Sequence, residues 1–128
     1  MGFLSRLFSN SKYKSSDNAR ASGRELLCKR IETIVANEFD DYELKTDIPA
    51  SELCASYDAR NYSYGIYKDG SLKALIMIMC DKNDYRKKDV CLSHEAAYLR
   101  GVPCMNFMPH LPNEEEYISN RLHENIAD

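Results

Sequence analysis

Seven consecutive apolar residues, Ala74-Leu-Ile-Met-Ile-Met-Cys80, constrain this chain more than any other stretch. A strand with one wet face alternates apolar and polar side chains. This run has no alternation, so whatever it forms is covered on both sides. A buried helix segment would show the same pattern, but Lys68-Asp69-Gly70-Ser71 stands just upstream. Asp-Gly supplies the positive φ angles of a tight hairpin, which makes Tyr62–Lys68 the first arm and Leu72–Cys80 the second. None of the side chains from Ala74 to Met79 can act as an acid, a base or a ligand for a hard metal ion.

The flanking patterns fill in the rest. Ser22-Gly-Arg-Glu25 has the form of a capping box, with Leu27, Ile31, Ile34 and Val35 on one helical stripe behind it. This helix is expected from near Ser22 to near Phe39. Tyr42–Ile48 alternates and stops at Pro49, as a half-exposed strand does, and a loop or short turn covers Ala50–Asn61. On the first hairpin arm, Tyr62, Tyr64 and Ile66 are expected to share a face. A second helix, capped by Asn83 or Asp84, carries an apolar face of Val90, Cys91, Leu92, Ala96, Ala97 and Leu99. It stops at Gly101, with Pro103 beyond. Val102–Met108 reads as a short strand. Asn113 is expected to cap a last helix with Glu114, Glu115 and Glu116 in its first turn and Ile118, Leu122 and Ile126 on its buried stripe.

The expected fold is α/β in the order α-β-β-β-α-β-α. It has a mixed four-stranded sheet, a parallel crossover into the last strand, and helices on both faces. The length of 128 residues fits a single domain over residues 20–128, preceded by a polar, serine-rich tail over residues 1–19 with an apolar tip at Phe3–Phe8. No apolar run approaches the ~20 residues of a membrane span, and Met1–Phe8 is expected to be too short for a signal peptide and, with Arg6 at its sixth position, not a clean myristoylation signal. The five cysteines (Cys28, Cys54, Cys80, Cys91 and Cys104) form no C-x-x-C pair. The expectation is buried, reduced thiols in a cytoplasmic protein.

The element order and the closing Gly101-Val-Pro…Phe107 strand resemble the PD-(D/E)XK restriction-endonuclease-like superfamily, in particular a small bacterial branch of it. The resemblance runs from Glu25 to Asn106. Its parts are the hairpin strand Tyr62–Lys68, the apolar strand Ala74–Cys80, the basic-headed helix Arg86–Arg100 and the strand Gly101–Phe107. It implies a restriction-endonuclease-like core. For an active member it implies an acid on the first hairpin arm and an acid-x-Lys on the second, holding Mg²⁺ at a phosphate. Those positions fall here on Ser63 or Tyr64 and on Met77-Ile78-Met79, so the catalytic motif is absent.

Two functional readings follow, and a third stands beside them. In the first, the chain is a non-catalytic binding module, a pseudo-enzyme whose surface is formed by Lys82, Arg86, Lys87 and Lys88 with the Asp69 hairpin and Tyr67. A run of cations at a helix start opposes the helix dipole unless an anion docks there, and nucleic acid is the natural anion. Because the whole chain carries a net charge of −3, such contact is confined to this patch. In the second, a displaced Mg²⁺-dependent nuclease site draws on Asp81, Asp58, Glu32 and Lys82. In the third, the chain is a structural or oligomerising accessory protein that docks a protein partner or a second copy of itself. Tyr57 and Tyr67 are the tyrosines expected at the surface. Cys91-x-x-His94 with Cys104 and His110 makes a poor zinc set, with Cys91 expected to face the core, and no third member is evident for a Cys–His nucleophile pair.

Overall fold

A computed structural model describes residues 16–126, with side chains from Gly23 to Ile126. The Phe3–Phe8 tip and most of the expected tail lie outside the described residues. The elements are α1 (Ser16–Glu38), β1 (Glu43–Ile48), β2 (Tyr62–Lys68), β3 (Ser71–Ile78), α2 (Lys88–Leu99), β4 (Cys104–Phe107) and α3 (Glu115–Asn125). Short 3-10 turns sit at Ala50–Leu53 and Asp84–Arg86. The order is the α-β-β-β-α-β-α expected from the sequence. Helix α1 begins at Ser16, well ahead of Ser22, so the capping-box residues lie inside the helix rather than at its start. Ala19, Arg20 and Ala21 are strong helix formers and carry the helix upstream.

The sheet runs β1-β2-β3-β4, antiparallel through the first three strands and parallel between β3 and β4. Asp69 and Gly70 both have positive φ, 52° and 80°, and close the two-residue hairpin as the Asp-Gly pair requires. Pairing passes from Ile66↔Ala74 to Tyr67↔Leu72 and leaves Lys73 as an extra, exposed residue on β3. This is a β-bulge beside the turn.

Ala74 to Met79 are all buried because helices cover both faces, which is why the run has no polar positions. On one face α1 and α3 pack Leu27, Ile31, Ile118 and Leu122 against Tyr64, Ile66, Ala74, Ile76 and Phe107. On the other, α2 and the Ala50–Leu53 turn pack Val90, Ala96, Ala97 and Leu53 against Leu75, Met77 and Met79. Cys80, the last residue of the run, leaves the sheet and is exposed.

Tyr62 does not share the face of Tyr64 and Ile66. It lies in the α2 cluster with its strand partner Ile48. The cause is a local twist: Asp47 on the edge strand adopts φ 53°, and opposite it the Ser63 hydroxyl, not a backbone carbonyl, accepts the Ile78 N–H (2.9 Å). The period-2 pattern breaks at both residues, and Ile48 and Tyr62 cross over together. The Tyr62 hydroxyl then donates to the Ser93 carbonyl at 2.7 Å and ties β2 to α2.

Gly65, buried in β2, has no room for a side chain. A Cβ there would stand 2.9 Å from Ile48 Cγ1 and 2.9 Å from Tyr67 Cε1. Gly65→Ala is expected to cost about 1–3 kcal/mol through overpacking, read from the midpoint of urea denaturation.

Candidate functional site

Where β3 ends, residues 80–89 turn back into α2 around one buried carboxylate. Asp84 is wholly buried. It accepts the Cys80 N–H (2.7 Å) and takes both terminal nitrogens of Arg60, the second at 3.0 Å, while Lys87 Nζ lies 3.4 Å away. Arg60 also donates through Nε to Asp89 (2.8 Å), and its backbone N–H donates to the Asp89 carbonyl (3.2 Å). The Ser93 hydroxyl donates to the Arg60 carbonyl. One arginine therefore clasps the loop before β2 to the turn before α2. Bidentate donation from Arg60 holds the Asp84 carboxyl far below the usual carboxylate range, and Asp84 in turn raises Arg60.

The clasp explains why Asn83 and Asp84 do not cap α2. The Asp84 carboxylate is drawn inward by Arg60 and a 3-10 turn intervenes, so α2 starts on Lys87 without a side-chain cap. The clasp also fixes the charges left outside. Asp84 and Asp89 are engaged by Arg60. Asp81 accepts the Asn83 N–H (2.8 Å) and stands 3.7 Å from Lys87, whose ammonium is raised first of all by Asp84. Lys82, Arg86 and Lys88 are exposed, and no hydrogen bond or ion pair engages their side chains among the described residues. Tyr85, absent from the sequence-based candidates, is exposed between them. The result is a surface of free cations beside an uncapped helix start, with the neighbouring carboxylates already paired.

The other candidates lie elsewhere. Tyr67 and Asp69 sit at the hairpin end of β3, and Lys82 follows its opposite end. Eight residues of strand separate them, about 26 Å at ~3.3 Å per residue, so the hairpin does not belong to the basic surface. Tyr67 is half-buried, with its hydroxyl donating to Glu52 (3.5 Å) and Lys45 4.6 Å from its ring centroid. Tyr57 is exposed as expected, at 96%. The acids of a displaced nuclease site are not brought together. Glu32 accepts the Tyr64 hydroxyl (2.6 Å) on the α1 face, whereas Asp58 is exposed in the loop on the α2 side and Asp81 in the turn. Among the described residues no three His, Cys, Asp or Glu groups are placed to hold a metal ion. Met77 and Met79 fill the core under α2.

The cysteines depart from expectation. Cys54, Cys80 and Cys91 are exposed, and Cys28 and Cys104 are half-buried; all five are free thiols. Cys91 turns toward the Tyr85 and Arg86 carbonyls (3.9 Å each) instead of the core. Asn106 is a third partner for Cys104 and His94 that the sequence did not reveal. His94 Nε2 lies 2.7 Å from Asn106 Oδ1 and 3.8 Å from Cys104 Sγ. A nucleophile relay uses one ring nitrogen for the thiol and the other for the orienting group. Here both fall on the same nitrogen, and burial pushes the Cys104 thiol up to about 12. At neutral pH the thiol is protonated and the cluster pins α2 to β4. Asn113, likewise, does not cap α3 with its side chain. With φ 49° it donates to the Met108 and Leu111 carbonyls (2.9 Å each), and α3 starts on Glu114.

No described helix is long and apolar enough to cross a membrane. Comparison with protein-family models, with curated proteins and with solved structures finds no match to this chain.

Proposed function

We propose that the chain is a non-catalytic binding module that engages phosphate groups, those of nucleic acid above all, through Lys82, Arg86 and Lys88. One observation carries the reading: the three cations stand free while Asp84 and Asp89 are tied to Arg60 and Asp81 is set against Lys87. The local field is positive on a chain whose net charge is −3. Phosphate gains from such a field and from Tyr85 beside the cations as a stacking surface, although the Val90 N–H in the first turn of α2 is already taken by Asp89 (2.9 Å). The element order and the methionines at positions 77 and 79 support a degenerate restriction-endonuclease-like core as the scaffold, and the scattered acids favour binding over cleavage.

The test is fluorescence anisotropy with labelled DNA and RNA oligonucleotides over a salt series. Binding is expected at low salt, weakening as salt rises with a logarithmic slope of about −2 to −3, the value for about three phosphate contacts. The triple variant Lys82→Glu, Arg86→Glu, Lys88→Glu is expected to abolish it. These side chains are exposed, so the fold tolerates the change. Absence of binding at about 50 mM salt overturns the reading, and metal-dependent cleavage of the same oligonucleotides replaces it with the nuclease.

A further inference from the structure

We infer that the nucleic acid held at the basic turn, on the reading that this surface binds one, is single-stranded, with an unpaired base stacked on Tyr85. Tyr85 stands between Asp84 and Arg86, 45% exposed, and its ring and hydroxyl have no partner among the described residues. Its backbone is held in place. The Asp84 N–H donates to the Asp81 carbonyl (3.1 Å), the Arg86 N–H to the Asn83 carbonyl (3.1 Å) and the Lys87 N–H to the Asp84 carbonyl (3.0 Å), while Arg60 grips the Asp84 carboxylate. The ring is therefore presented to solvent on a fixed turn, with Lys82, Arg86 and Lys88 exposed on either side of it in the chain. An exposed ring among cations suits a base whose face is open, whatever the identity of that base. The turn needs little ordering on binding, so little of the gain is lost.

A duplex does not fit the same surface. Its bases are paired and stacked, and a protein reads them only through a groove. The adjoining element that could enter one is α2, whose cations stop at Lys88: from Asp89 to Leu99 it has no Lys or Arg. At about 100° and 1.5 Å per residue, Glu95 lies on the same side of the helix as Lys88, about 10 Å further along. Both side chains are exposed. A duplex laid along α2 from Lys88 brings its phosphates onto a carboxylate. A single strand can cross the turn instead, its backbone meeting the cations while one base turns onto Tyr85.

Fluorescence anisotropy on the full chain at about 50 mM salt tests this with three labelled probes: a single strand without self-pairing, the duplex made from it, and a strand of abasic sites. The base-bearing strand is expected to bind at least about tenfold more tightly than either of the others. Tyr85→Ala is expected to bring the three within about twofold of one another. The salt slope for the single strand stays the same in that variant, because a tyrosine ring releases no counterions. Tyr85→Phe keeps the ring and is expected to recover most of the preference that Tyr85→Ala loses. Equal affinity for strand and duplex, or a preference that survives Tyr85→Ala, overturns this inference. If the triple variant Lys82→Glu, Arg86→Glu, Lys88→Glu still abolishes binding in that case, phosphate binding at the turn stands without it. Absence of binding to all three probes overturns both.

Discussion

Replacing Asp84 with alanine is expected to destabilise the domain by about 3–5 kcal/mol, a large share of the stability of a chain this size. Asp84 is wholly buried, and its oxygens are shared among the two terminal nitrogens of Arg60, the Cys80 N–H and Lys87. Without it a half-buried guanidinium loses its main partner and a backbone N–H goes unpaired. Leaving one member of a buried pair alone costs more than the pair contributes when intact. Arg60→Ala is expected to cost less, because Lys87 and the Cys80 N–H still serve the carboxylate. A double-mutant cycle read by urea denaturation is expected to show strong coupling between the two. The pH dependence has a definite sign. The unfolded chain takes up the Asp84 proton near pH 4, and the folded chain only well below that, since Arg60 holds the carboxyl ionised. The contribution is therefore complete above about pH 5 and drains away as pH falls through 4 and below, where wild type and Asp84→Ala converge in stability. A cost below about 1 kcal/mol at pH 7 would mean that the clasp is ornamental.

The clasp also marks where the sequence stops being readable. Contiguous signals came through: the unbroken run from Ala74, the Asp69-Gly70 turn, and the Leu27, Ile31, Ile34 stripe each specify an element through neighbours along the chain. The basic cluster from Lys82 to Lys88 was legible for the same reason. Its net effect was not, because that depends on Arg60, which is separated by 24 residues from Asp84 and by 29 from Asp89. Read in isolation, Asp84 is a helix cap and Asp89 a charge that dilutes the patch. Folded, both face Arg60 and leave the cations outside. Tyr62 was misplaced because a positive φ at Asp47 inverts the alternation, and nothing in the residue types announces that. Cys80 and Cys91 were read as buried from the apolar runs they end or join, but Cys80 lies past the end of β3 and Cys91 faces the carbonyls of the Asp84–Arg86 turn, so both are exposed. Asn106 belongs to a different strand from the helix bearing His94, a pairing that only the parallel β3–β4 ladder creates.

Met77→Glu is expected to leave the chain unfolded or to cost more than about 4 kcal/mol, although it restores an acid at the place where the resemblance wants one. Met77 on β3 and Met79 just past its end both lie in the cluster under α2 and are 1% and 0% exposed. Val90, Ala96 and Ala97 of α2 and Leu53 of the preceding turn are packed in the same cluster. A metal-dependent nuclease needs an open, wet cleft in front of these positions, because the carboxylates must reach both the ion and the phosphate. In this chain the same volume is dry core. A carboxylate placed there has no cation within the apolar cluster to pair with, and it must either be buried as an ion or take up a proton at a cost of several kcal/mol. Met77→Leu keeps volume and apolarity and is expected to cost less than about 1.5 kcal/mol, which separates the effect of charge from that of shape. Thermal denaturation of the two variants side by side makes the measurement. If Met77→Glu folded with near wild-type stability, the α2 face would have to open, and the case for a scaffold that binds without cutting would lose its physical basis.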